Sequence, residues 1–205
     1  MDITEIDKNL KTTAIKETGI VWRNVRDGGF SIHGIFYSEV EKHYRRMPKE
    51  IADEVSEGVS VLSTCATGGR IRFITDSPYI AVKAVVADMP LSSNTSLGSQ
   101  SGFSVYADGV FEGNLRPEFA NVKSAKDGKY VFASMAYARM SGLRNIEFYT
   151  PLYNRVYEIF IGLKEGSILL PAKEYSNDLP VVFYGSSITQ GGCASHPGND
   201  YVSIV

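Results

Sequence analysis

From about residue 18 to 170, apolar and polar residues alternate in short runs separated by Gly, Pro, Asn and Ser, the pattern of half-buried strands joined by tight turns. In "RIRFIT" (70–75), Arg70 and Arg72 take one face and Ile71 and Phe73 the other. "YIAVKAVVAD" (79–88) sets Ile80, Val82, Ala84 and Val86 against a face carrying Lys83, and the turn marked by "SPY" between the two runs predicts that they pair antiparallel. A Ser-, Asn- and Gly-rich loop comes next (89–102), then "FSVYADGVFEGNL" (103–115), where Asp108-Gly109 predicts a hairpin turn. "KYVFASMAYA", "RNIEFYT" and "RVYEIFIGL" continue the series. Many short strands at this spacing predict a mainly β fold, an antiparallel β-sandwich of jelly-roll type.

One helix interrupts the strands. "PKEIADEVSEG" (48–58) starts on a proline suited to a first turn, carries acids early, spaces Ile51 and Val55 four apart and stops at Gly58. After Leu163, "KEGSILLPAKEYSNDLP" reads as a connection with one short strand at most, which puts a domain boundary near residue 175. Residues 1–175 then form the sandwich with its linker, and 176–205 belong to something else. "VVFYG" (181–185) is a wholly apolar run into a Gly-rich turn, and Asn199 is placed to cap a helix. Strand, turn and helix start are the opening of an α/β unit. Such a strand needs parallel neighbours, so it either frays, pairs with another chain or belongs to a larger sheet.

Composition narrows the chemistry. The 205 residues carry 21 Lys and Arg against 23 Asp and Glu, with neither sign gathered into a block, so no nucleic acid and no anionic membrane surface is an implied partner. No apolar run reaches the roughly 18 residues of a membrane span, and the N-terminus shows no signal-peptide pattern, which leaves the compartment open. Cys65 and Cys193 are too few and too far apart for a metal site, and no cofactor motif is found. The basic run "HYRRMP" (43–48) reads as surface or a domain contact, and the Arg70/Arg72 face as solvated, with carboxylate or sugar binding as the alternative. The 12 Tyr and 10 Phe are core by default.

The chemistry-bearing stretch is "VVFYGSSITQGG" (181–192), a serine delivered by an apolar run into a glycine-rich turn. Continued by "CASHPGNDY", it resembles the nucleophile block of the SGNH (GDSL) hydrolases, which usually reads Gly-Asp-Ser. The stretch "GFSVY", Gly102 to Tyr106, resembles the Gly-x-Asp-Leu-Tyr signature of a domain that precedes such hydrolases, with Ser104 and Val105 replacing Asp and Leu. The resemblance implies that Ser187 is the nucleophile and that its backbone N–H is one oxyanion donor. Ser186 stands where the family has Asp. The family draws its other parts, a Gly amide, an Asn side chain and an Asp-x-x-His pair, from later blocks that have no counterpart here.

A serine hydroxyl needs a base, and a developing oxyanion needs fixed donors. Of the three histidines, His33 and His43 lie in the sandwich region, while His196, nine residues after Ser187, is the local alternative base. The expectation is therefore the N-terminal part of a serine esterase, acting on small-molecule or carbohydrate esters such as acetyl groups and inactive without the rest of its hydrolase domain. The alternatives are a non-catalytic carbohydrate-binding sandwich, and an accessory domain that restricts access to the esterase site.

Overall fold

The computed structural model describes residues 15, 17–176, 179 and 181–205. The alternation along the strands becomes two sheets stacked on a shared apolar core. One sheet runs β1 (Ile20–Asn24), β11 (Val156–Lys164), β6 (Tyr79–Ala87), β9 (Lys129–Tyr137). The other runs β12 (Leu169–Pro171), β5 (Arg70–Thr75), β10 (Arg144–Tyr149), β7 (Phe103–Ala107), β8 (Val110–Leu115), and β2 (Ser31–His33) shares the outer edge of β5 with β12. A two-stranded ribbon of β3 (Phe36–Ser38) and β4 (His43–Arg45) lies apart from both sheets. All pairings between these strands are antiparallel. The inward residues of the two sheets, Ile71, Phe73, Phe103 and Phe148 against Val82, Ala84, Phe132 and Ile161, form one buried cluster. The predicted antiparallel sandwich is the fold the chain builds.

Three local expectations change. β5 and β6 do not pair: β5 already has β10 on one side and β2 with β12 on the other, while β6 is flanked by β11 and β9. The Asp76-Ser77-Pro78 turn therefore carries the chain from one sheet across to the other. The helix expected over 48–58 is two, α1 (Lys49–Val55) and α2 (Glu57–Leu62), because Ser56 is extended and its side chain accepts the Val59 N–H at 3.2 Å, restarting the helix. Gly58 sits inside α2, Pro48 is the cap of α1, and Ile51 and Val55 are exposed while Ala52 is the buried residue of α1. The loop of 89–102 contains α3 (Leu97–Ser101), capped by Ser96. A further short helix, α4 (Phe119–Lys123), precedes β9.

The largest change concerns residues 181–184, expected as a buried strand. They pair with no strand among the described residues, and Val181, Val182 and Tyr184 are each about four-fifths exposed. The sandwich is antiparallel throughout and complete without this apolar run, which joins neither sheet. After it come a compact turn over 186–193 and α5 (Tyr201–Ile204), capped by Asp200 rather than Asn199: the Asp200 carboxylate accepts the Ser203 N–H at 3.1 Å.

Candidate active site

Ser187 lies exposed on this turn, and its hydroxyl holds no hydrogen bond among the described residues. The turn is closed by its own backbone, Gly192 N–H to Ser187 C=O at 2.7 Å and Gly191 N–H to Ile188 C=O at 3.0 Å. Gly191 has φ +90° and faces Leu152 so closely that a Cβ would lie 2.8 Å from its methyl, so both conformation and space call for glycine.

The sandwich holds this turn. Gln190 is buried and bridges two parts of the fold: its Nε2 donates to the Leu152 carbonyl at 3.1 Å, and its Oε1 accepts from Arg46 at 2.9 Å. Tyr153, from the β10–β11 connection, donates its hydroxyl to the Ser187 carbonyl at 3.0 Å. Burial raises the Tyr153 phenol pKa, keeping it a neutral donor, and lowers that of the Arg46 guanidinium. The basic run over 43–48 is thus part contact and part interior, since Tyr44 and Arg45 are buried and Arg46 reaches the serine turn.

A cleft of about 330 Å³ opens beside Ser187. Ile188, Gly192 and Cys193 form one wall, and Met89, Pro90, Ser92, Asn94 and Thr95, from the loop before α3, form the other. The second wall is braced from below by buried Gln100, which accepts the Ser92 N–H at 3.1 Å and donates to the Pro90 carbonyl at 2.9 Å. None of the lining side chains is charged. Cys193 is exposed, whereas Cys65 is buried and its thiol pKa raised by burial, so the two are separate free thiols.

No histidine serves Ser187 among the described residues. His33 packs edge-on against Tyr175 at 4.9 Å. His43 is buried, its Nδ1 donating to the Tyr44 carbonyl at 2.8 Å. His196, the local alternative base, lies flat on Phe111, ring centres 4.2 Å apart, with Nδ1 3.3 Å from the Ser104 hydroxyl. It belongs to the sandwich surface, where the Phe111 stack, the Pro197 carbonyl 3.0 Å from Nδ1 and the Ser104 contact hold it. Among the described residues no cluster of His, Cys, Asp and Glu has metal-binding geometry. The Arg70/Arg72 face is not freely solvated either: the Arg72 guanidinium lies 4.0 Å from the ring centre of Tyr175, and that of Arg70 lies 4.8 Å from that of Tyr149. The anchors Tyr153, Gln190 and Arg46 carry no signal in the sequence, because no local pattern marks contacts between residues so far apart in the chain.

Residues 20–169 match the family described as "GxDLY: N-terminus of Esterase_SGNH_hydro-type". The chain belongs to this family: it carries the N-terminal domain of SGNH-type esterases. Its fold is similar to that of a Bacteroides ovatus protein assigned as a GDSL-like lipase, at TM-score 0.73 and 25% identity over 90% of this chain and 52% of that one. It is also similar in fold to the salicylyl-acyltransferase SsfX3 of a tetracycline biosynthetic pathway, at TM-score 0.54 and 16% identity over 78% of this chain and 44% of that one. The chain thus spans about half the length of the solved structures it matches. A search among curated proteins finds no match.

Proposed function

We propose that this chain is the N-terminal part of an SGNH-type serine esterase, with Ser187 as nucleophile and its own N–H as one oxyanion donor. The reaction is attack of the Ser187 hydroxyl oxygen on an ester carbonyl. Its proton passes to a base, the alcohol leaves with a proton, and water then releases the acid. The base and the remaining oxyanion donors come from the hydrolase domain that the sandwich precedes, so residues 1–205 alone hydrolyse small p-nitrophenyl esters negligibly.

The observation that carries this reading is the exposed Ser187 on a turn whose backbone is tied to the sandwich through Tyr153 and Gln190, opening on an uncharged cleft. Short polar side chains, Ser92, Asn94 and Thr95, share one wall with apolar Met89 and face Ile188 across that cleft. Such a wall suits a neutral, hydroxyl-bearing ester, of which an acetylated carbohydrate is the simplest class. The test is fluorophosphonate labelling of the protein extended through its hydrolase domain, with the labelled peptide mapped by mass spectrometry. Label on Ser187, lost in Ser187→Ala and kept in Ser186→Ala, is expected. Label on Ser186, or label surviving Ser187→Ala, overturns the assignment.

A further inference from the structure

The strand that carries the signature residues Gly102–Tyr106 is β7, and alternation divides its side chains. Phe103, Val105 and Ala107 point into the core, while Ser104 and Tyr106 point out. Ladder pairing sets Ser104 between Tyr149 and Asn114, and Tyr106 between Glu147 and Phe111. Phe111 and Asn114 are three apart, yet both reach the outer side because the register of β8 shifts between them, a bulge of one residue. The signature therefore builds a small aromatic and hydroxyl-lined seat on the outer face of its sheet.

The chain itself occupies that seat. His196 stacks on Phe111 at an interplanar angle of 15° and meets the Ser104 hydroxyl, which also accepts from Asn114 at 3.2 Å. Tyr106 donates its hydroxyl to the Gly198 carbonyl at 3.1 Å. Gly198 has φ +84°, and a Cβ there would lie 2.8 Å from the Tyr106 ring and 3.1 Å from that of Tyr149, so the seat admits only glycine. Pro197 and Gly198 are buried by the contact, and Ser96 adds a bond to the Ser195 carbonyl at 3.1 Å.

We propose that the signature strand is a docking seat for the His196-Pro197-Gly198 segment, and that it locks the segment after the serine turn onto the sandwich as one body. The sandwich is then a fixed part of the serine-bearing unit and not a module on a flexible tether, and this face is unavailable to a ligand. Stacking, shape and hydrogen bonds make the seat, with no ion pair across it among the described residues, so added salt is expected to leave it unchanged.

Hydrogen exchange on the 205-residue chain tests this without reference to any activity. The reporter is the peptide spanning 195–200, whose Asn199 N–H is held by the His196 carbonyl at 3.2 Å. In the parent chain it exchanges slowly, with or without added salt. Gly198→Ala is expected to speed its exchange about tenfold or more while β6 and β11 stay protected, and Tyr106→Phe to do so to a lesser degree. Open-chain exchange of this peptide in the parent, or no change in both variants, overturns the proposal. If Gly198→Ala also unprotects β6 and β11, Tyr106→Phe decides alone.

Discussion

At the scale of single residues, burial has a directional consequence for His43. The imidazole is 4% exposed, and removal from water is the largest influence on it, lowering its pKa. Arg155 and Arg45 act in the same sense, while the Tyr44 carbonyl and Glu41, 3.7 Å from Nε2, oppose. The unfolded chain takes up this proton near the ordinary value of about 6.5, and the folded protein only at lower pH. Acid therefore favours unfolding: the contribution is whole above the unfolded value and declines as pH falls below it. His33 works in the same direction, through desolvation first and then Arg72 and Arg70. We expect a lower Tm at pH 5 than at pH 7.5 and a smaller difference in His43→Asn, whose amide can still donate to the Tyr44 carbonyl. An equal difference in both proteins would show that His43 does not carry the effect. None of this is legible in "HYRRMP", since burial of a histidine in a basic run depends on the ribbon it joins and not on its neighbours in sequence.

At the scale of elements, turn chemistry is the most legible feature. Asp108 and Gly109 both have positive φ, +48° and +79°, as a two-residue primed hairpin turn requires, and the Asp108 carboxylate also accepts the Asn145 N–H at 2.9 Å. Gly109→Ala puts a Cβ into the left-handed region and is expected to cost about 1–2 kcal/mol, read as a lower urea midpoint at unchanged m-value. An unchanged midpoint would mean that the turn relaxes to another type. Period-two alternation likewise locates the long strands, because each buries one face only. It does not say which strand pairs with which, so it predicts β5 and β6 as neighbours although they lie in different sheets. The apolar run of 181–184 shows the converse limit: hydrophobicity makes a segment eager for a sheet, but the ladder must come from elsewhere. Ser104 and Tyr106 are visible as a signature, and their outward register is implicit in the alternation of β7. The segment they hold, more than ninety residues downstream, is not.

At the scale of the whole molecule, the question is whether the sandwich needs the serine-bearing segment at its C-terminal end. Every residue of the buried cluster, from Val25 to Leu163, and Leu169 packed against it, precedes residue 175. The later segment adds contacts at the surface, chiefly four hydrogen bonds made by Arg46, Leu152 C=O, Tyr153 and Tyr106 to Gln190, Ser187 and Gly198. Each is worth about 0.5–1 kcal/mol net, so together they contribute roughly 2–4 kcal/mol. A chain of residues 1–174 should accordingly fold by itself, because a domain is defined by its own core. Removing the segment also re-exposes the Tyr106, Phe111 and Tyr149 rings, but their sheet keeps all its ladder partners, so the loss falls on Tm and not on cooperativity. At about 2–4 °C per kcal/mol for a chain of this size, the expected fall is about 5–15 °C with a single transition. Thermal melting by circular dichroism of residues 1–174 beside residues 1–205 measures it. An insoluble or non-cooperative product from 1–174 would make the serine-bearing segment an integral part of the sandwich fold.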